Sequence, residues 1–344
     1  MGFAGPVRGF LGLACGLLAR RSKMTQITRR QVFGTTAAAA AATVLPAVVS
    51  AKAPLASGQA PGFYRRKVGD AQVTALLDGY IDVAHGFWTG IEQASVEDLA
   101  AAAGLPDNGS IRIGVTSYLI NQGNRLVLVD TGSADLFGPT AGKFLSALAA
   151  AGHTPDQVDD ILITHMHPDH IGALLENGAA VFPNAQIHVA GLEFDYWTSA
   201  TEQSKAPDFA KSWFDAAIGV KTAYDGRIHV FSGAPEVIPG FTAVPLYGHT
   251  PGHSGYRLSS GGEDLLIWGD ACGVASVQFA HPEAGLAFDV DGATGKQTRA
   301  SLLDMAAGEG VLIASAHLPF PTFGRVLRSG EAYAWQPDEY RFEV

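Results

Sequence analysis

Thr164-His165-Met166-His167-Pro168-Asp169-His170 packs three imidazoles and a carboxylate into its last six residues, directly after the apolar run Ile161-Leu162-Ile163. A buried strand that ends abruptly in an H-x-H-x-D-H loop has few structural uses. Neutral imidazole and carboxylate suit borderline divalent ions such as zinc, and the intervening positions let alternate side chains converge. A His-rich surface loop is the plainer reading of the same residues. The later chain weighs against it by repeating the pattern.

Three further apolar strands run straight into a potential ligand. Residues 243–246 lead into Gly248-His249-Thr250-Pro251-Gly252-His253, residues 265–268 into Gly269-Asp270, and residues 311–315 into Ala316-His317. Each alone is weak, since a lone strand-end histidine is usually an ordinary polar residue. Together with the first loop they give seven candidate ligands: His165, His167, Asp169, His170, His249, Asp270 and His317. Seven suffice for two ions, although spacing alone does not say which ligand serves which ion. Two cations about 3.5–4 Å apart can share a hydroxide far more acidic in origin than bulk water, which is a nucleophile at neutral pH.

Composition sets the bounds on this reading. With 344 residues, 47% hydrophobic and 16% charged, the chain is globular and long enough for a sizeable core. Residues 1–51 hold six Lys/Arg and no Asp/Glu, which leaves 17 basic against 33 acidic groups in the remainder, a net −16. Such an acidic body disfavours a nucleic-acid partner. Of the two cysteines, Cys15 falls in that basic leader, so Cys272 has no intramolecular disulfide partner; it reads as a small buried hydrophobe rather than a reactive thiol.

The leader carries Thr28-Arg29-Arg30-Gln31-Val32-Phe33 and then an Ala-rich, weakly apolar run ending near Val49-Ser50-Ala51. This patch resembles a twin-arginine export signal, with Val32 where a Phe is usual, and implies a periplasmic protein exported already folded. The run is short and holds Pro46, which disfavours a stable membrane span. Met24 is a second candidate start. Residues 52–344 then read as a single domain, in which strand pairs (63–68 with 71–77, and 116–121 with 125–130) come first. Strand–helix alternation follows, with helices near 141–151 and 296–307. That order suggests helices layered on sheets. Asp130, at a strand end beside Gly132, is a candidate partner for a ligand imidazole or simply a turn former; Asp78 is a second candidate partner.

The set Thr-His-Met-His-Pro-Asp-His, Gly-His-Thr-Pro-Gly-His, Gly-Asp and the late His317 resembles the metallo-β-lactamase superfamily over about residues 63–325. The resemblance implies an α/β fold, an αββα sandwich with a dinuclear site at one edge. Carried over to the matching positions, it implies His165, His167 and His249 on one ion, Asp169, His170 and His317 on the other, Asp270 bridging, and His253 behind them. The ions would be zinc. True β-lactamases lack the bridging carboxylate, which sets antibiotic hydrolysis aside.

Within the superfamily, stretches such as Gly62-Phe63-Tyr64-Arg65, Leu136-Phe137-Gly138-Pro139-Thr140 and His317-Leu318-Pro319-Phe320-Pro321 look most like the methyl parathion hydrolase group and its lactone-hydrolysing relatives. That similarity implies an aromatic substrate pocket of Phe137, Trp197 and Phe214. It also implies hydrolysis of small neutral esters: lactones, acyl-homoserine or aryl, and activated aryl esters first, organophosphate triesters as the alternative. Asp270 and Asp169 are the candidates to relay a proton. The tyrosine that acyl-homoserine lactonases carry three residues beyond the bridging aspartate is Gly273 here. Thiolester hydrolysis would need a basic C-terminal segment that is not evident. A metal-binding protein without hydrolytic function, or a mononuclear iron oxygenase, is the reading from another class, and metal content separates it. Whether the chain forms a homodimer stays open.

Overall fold

Leu126-Val127-Leu128-Val129 shows how the layers arise. All four side chains are buried. Successive strand residues point to opposite faces, so Leu126 and Leu128 enter one apolar cluster and Val127 and Val129 another. The strand Glu263–Ile267 divides in the same way: Leu265 and Ile267 join the cluster of Val127 and Val129, while Leu266 and the following Trp268 face a third. A strand apolar on both faces must be covered on both.

The computed structural model describes Ala53 and residues 55–344, and residues 56–344 form one compact unit. The candidate export signal at 1–51 and the candidate start Met24 lie outside the described residues. Among the described residues, no helix is long and apolar enough to cross a membrane.

Two seven-stranded sheets face each other. The first runs, in spatial order, Phe63–Val68, Ala71–Ala84, Ser110–Asn121, Leu126–Val129, Asp160–Leu162, Gln186–Ala190 and Ile228–Phe231. Its first four strands pair antiparallel and the rest parallel. The second runs Glu236–Ile238, Phe241–Pro245, Ser254–Ser260, Glu263–Ile267, Leu312–Ala314, Gly324–Ser329 and Ala332–Pro337, with a parallel step only between Glu263–Ile267 and Leu312–Ala314. Every strand of the first sheet precedes every strand of the second in the chain, and residues 232–235 are the link between them.

Between the sheets lie Val73, Tyr118, Ile120, Val127 and Leu162 against Phe241, Tyr256, Leu258 and Ile267. Outside the first sheet, helices Phe144–Ala150 and Asp208–Ala223 bury Phe144, Leu148, Phe214, Ala217 and Val220 on Leu119, Leu128 and Ile161. Outside the second, Leu302, Leu303 and Ala306 of helix Gly292–Glu309 cover Leu266 and Ile313. The result is an αββα sandwich, as the resemblance implies.

Two of the expected strands run longer: the one read as 116–121 begins at Ser110, and the one read as 71–77 passes Leu77. The strand expected to stop at Leu77 continues to Ala84, because the register slips between Leu77 and Gly79 instead of breaking. Gly79 has φ +149°, and a Cβ there would lie 2.3 Å from the Thr140 carbonyl oxygen, so only glycine fits this bulge. The motif itself forms the short helix Pro168–Ile171, which one 3₁₀ turn, Gly172–Leu174, follows.

Candidate metal centre

The parallel strands set the site. Asp130 follows Leu126–Val129 and His165 closely follows Asp160–Leu162 in the first sheet; Asp270 follows Glu263–Ile267 and His317 follows Leu312–Ala314 in the second. Parallel neighbours end at the same edge of their sheet, so these side chains gather at one rim. His249 arrives on the turn between Phe241–Pro245 and Ser254–Ser260.

Among the described residues two ligand groups result, His165 with His167 and His249, and Asp169 with His170, Asp270 and His317; within each, the donor atoms lie within 4.8 Å of one another. His249 Nε2 is 3.1 Å from His167 Nδ1. Asp270 reaches both groups: Oδ2 is 3.7 Å from His165 Nε2, 3.5 Å from His249 Nε2 and 3.0 Å from His317 Nε2, and Oδ1 is 3.4 Å from His170 Nε2. Asp169 Oδ2 stands 3.4 Å from His317 Nε2 and 3.5 Å from His170 Nε2.

The far nitrogen of most rings is held. Asp130 Oδ2 is 2.8 Å from His170 Nδ1, and the same carboxylate accepts from Thr164 N and Oγ1. His317 Nδ1 donates to the Gly114 carbonyl at 2.7 Å, and His165 Nδ1 is 3.1 Å from Thr164 Oγ1. Such contacts fix which nitrogen offers its lone pair to a metal. His253 touches the site through the backbone, its Nε2 accepting from Asp270 N at 3.0 Å.

Electrostatics separate the two groups. Burial disfavours a charged imidazole at His165 and His167, and both are held well below the ordinary histidine range, with His170 and His249 adding repulsion. Burial also opposes charge at His317 and His170, but Asp270 and Asp169 outweigh it and carry His317 up to about 10 and His170 well above its usual range. The two carboxylates are held well below theirs: burial opposes this, and His317 and His170 overcome it. His165 Nε2, His170 Nε2 and Asp270 Oδ1 are buried without a hydrogen-bond partner. Buried lone pairs of this kind are costly unless a cation takes them. The donor set, five imidazoles and two carboxylates, therefore fits two divalent ions.

Over the site opens a cavity of about 160 Å³, lined by His167, Asp169, His249, Asp270 and His317 at its floor and by Phe87, Phe137, Trp213, Leu286 and Phe288 around it. An apolar cavity of about that size accommodates a benzene ring. A larger hollow of about 620 Å³ beside Asp135, Lys143 and Glu176 holds none of the seven ligands.

Phe137 is placed in the pocket wall, whereas Trp197 and Phe214 are not: they are 2% and 1% exposed and pack against each other at a tilt, ring centroids 4.5 Å apart, in the core under the first sheet. Trp197 meets the edge of His167 from behind, and the indole that reaches the cavity is Trp213. Asp78 touches no imidazole; its carboxylate accepts from Ser133 N and Phe144 N and so fastens the loop 131–144 that carries Phe137. Cys272 is fully buried, and burial pushes its thiol up to about 12, as a hydrophobe's role requires.

Two acids lack any motif that would have revealed them. Glu193, fully buried, accepts from Met166 N, Thr250 Oγ1 and Gly252 N and thereby locks the H-x-H loop to the His249 loop. A Cβ on Gly252 would lie 2.2 Å from Glu193 N. Asp289 Oδ1 lies 2.7 Å from His249 Nδ1.

Residues 111–317 match the family model of the metallo-beta-lactamase superfamily. The solved structure of AbOPH, a hydrolase in the beta lactamase superfamily, is 32% identical, with a TM-score of 0.78 over 83% of this chain and 100% of that one. AidC, a dizinc quorum-quenching lactonase solved with a product, N-hexanoyl-L-homoserine, is 25% identical, with a TM-score of 0.77 over 82% of this chain and 99% of that one. An N-acyl homoserine lactonase of Bacillus cereus is 23% identical over 182 residues, 47% of this chain and 65% of that protein. The chain spans about half to two thirds of the length of the curated relatives it matches.

Proposed function

The chain belongs to the metallo-β-lactamase superfamily, and from that premise we propose that it is a dinuclear-metal hydrolase of small neutral esters, lactones first among them. One observation carries the reading: Asp270 lies within 3.0–3.7 Å of imidazole nitrogens from both ligand groups, at the floor of an apolar cavity. A carboxylate so placed would serve both ions of a pair. His165, His167 and His249 would hold the first, Asp169, His170 and His317 the second, with zinc the ion that best suits this donor set.

Bound there, two such ions polarise a carbonyl or phosphoryl oxygen and make a shared water nucleophilic at neutral pH. The chain's own residues do the rest. Phe137, Trp213, Leu286 and Phe288 exclude water and take the apolar part of the substrate. Among the described residues no Lys or Arg lines the cavity, so an anionic substrate would find no cationic side chain and a neutral one is favoured. Asp169 and Asp270 are the carboxylates at the floor, where they would accept the nucleophile's proton and return it to the departing oxygen; Asp82 also lines the cavity but is paired with Arg112. The similarity to a dizinc lactonase and to acyl-homoserine lactonases supports lactones as the substrate class.

Hydrolysis of aryl phosphotriesters is a second reading, favoured by Gly273. A Cβ there would lie 2.9 Å from His317 Cβ, so the position has no room for a side chain that could protonate a leaving oxygen. An alkoxide leaving group needs such a proton, whereas an aryl oxide does not. The test is the ratio of kcat/KM for an acyl-homoserine lactone to that for methyl paraoxon, on zinc-quantified protein. A ratio above one is expected. A ratio well below one transfers the assignment to phosphotriesters, and no turnover of either overturns the reading.

A further inference from the structure

We propose that Arg299 and Asp289 are positioning residues of the metal centre: one buried guanidinium holds the ligand His249, the peptide that follows the bridging Asp270 and the wall of the substrate pocket in a single arrangement. The inference rests on the dinuclear reading above and extends it to residues that touch neither ion nor substrate.

Arg299 projects from helix Gly292–Glu309 and is 1% exposed. A guanidinium carries five N–H donors and a permanent charge, and taking it out of water is expensive unless its partners are in place. The neighbouring buried positions of the same helix, Leu302, Leu303 and Ala306, are filled by ordinary apolar residues. Something other than core filling therefore accounts for the cation.

Its contacts lie on two chain segments, and both lead to the site. Nε donates to the Ala271 carbonyl at 3.0 Å. Ala271 directly follows Asp270, whose own N–H donates to His253 Nε2 at 3.0 Å. The bridging carboxylate is thus clamped through the backbone on both sides. On the other segment, Nη1 donates to the Pro282 carbonyl at 3.0 Å, and Nη2 stands 3.7 Å from Asp289 Oδ2.

Asp289 completes the connection. One oxygen meets His249 Nδ1 at 2.7 Å, and the other accepts from Leu286 N at 3.2 Å. An acceptor on Nδ1 places the ring proton there and leaves Nε2 to face the ligand group. The backbone around Asp289 is tied to the same loop: Val290 N donates to the His249 carbonyl and Asp291 N to that of Gly248, both at 2.9 Å. Leu286 and Phe288 of this segment line the cavity, and Ala287 N donates to the Phe87 carbonyl at 2.8 Å. One short stretch is therefore both pocket wall and support for a ligand. Arg299 anchors that stretch to the same helix that anchors Asp270.

The experiment compares Arg299→Met, Arg299→Lys and Asp289→Asn with wild type in the full chain. It reads zinc affinity and stoichiometry by chelator competition, the Tm of metal-stripped protein, and kcat and KM separately. Arg299→Met and Asp289→Asn are expected to weaken one of the two zinc ions roughly 10–100-fold, the usual cost of losing an outer partner of a metal ligand. Arg299→Lys, which keeps the charge but not the planar fork, should fall between. In zinc-saturated protein, kcat should drop more than KM rises.

Unchanged zinc affinity in all variants that fold, with only the stripped-protein Tm lowered, would overturn the proposal and leave Arg299 a structural residue. If Arg299→Met does not fold, Asp289→Asn and Arg299→Lys decide by the same readout. Zinc binding needs no substrate, so a protein inactive on both lactone and phosphotriester that still shows the graded zinc loss would refute the substrate reading and uphold this one.

Discussion

Trp197 and Trp213 both meet His167 edge-on, with ring centroids 5.1 and 4.9 Å away, but they stand on opposite sides of the boundary between core and cavity. Trp197→Ala is expected to cost about 3–5 kcal/mol of stability, as for other large buried aromatics, and to reduce aryl and aliphatic ester turnover alike. Trp213→Ala should leave the urea midpoint near wild type and raise KM for aryl esters more than for aliphatic ones. A selective loss in Trp197→Ala would return that indole to the pocket. The two were indistinguishable by sequence because helical spacing locates an aromatic on a helix without saying what its face meets. Helix Asp208–Ala223 buries Ala210, Phe214, Ala217 and Val220 as one stripe, and Trp213 lies one residue off that stripe, turned toward the rim. The seven ligands were legible because they cluster in short motifs at strand ends. Glu193 and Asp289 were not, since each is a lone acid whose partners in the ligand loops, Met166, Thr250 and Gly252 for one and His249 for the other, lie 27 or more positions away.

Elements with both faces buried were the easiest to read: runs such as Leu126–Val129 and Leu312–Ala314 have no polar position that would suit solvent. The harder case was Ala71–Ala84, where Asp78-Gly79 has the composition of a turn yet sits inside a strand. The bulge there turns the Asp78 side chain out of the ladder to accept from Ser133 N and Phe144 N, and the loop 131–144 hangs from it. Asp78 is fully buried, so Asp78→Ala strands these donors away from water. A hydrogen bond to a charged group contributes about 1.5–3 kcal/mol, and we expect a loss of about 2–4 kcal/mol on urea unfolding. KM for bulky esters should also rise as Phe137 loses its place. A stability near wild type would mean that helix Phe144–Ala150 holds the loop unaided.

Across the whole molecule, both sheets contribute ligands: His165, His167, Asp169 and His170 come from the first half of the chain, His249, Asp270 and His317 from the second. Metal bound by this set would therefore stabilise the docking of the sheets. Free zinc at about 100 times its Kd should add about 2.7 kcal/mol, which for a domain of this size raises Tm by about 4–5 °C. Differential scanning calorimetry before and after chelation measures this, and an unchanged Tm would mean the sandwich closes without help from its ions. The link at 232–235 gives the same arrangement a practical meaning. The link's first three residues are exposed, and it is the chain's crossing from one sheet to the other. A break at Gly233 would yield two fragments, each with its own sheet and covering helix, neither with a complete ligand set. Fused to the halves of a split reporter, such fragments would turn the concentration of free zinc into a signal of reassembly.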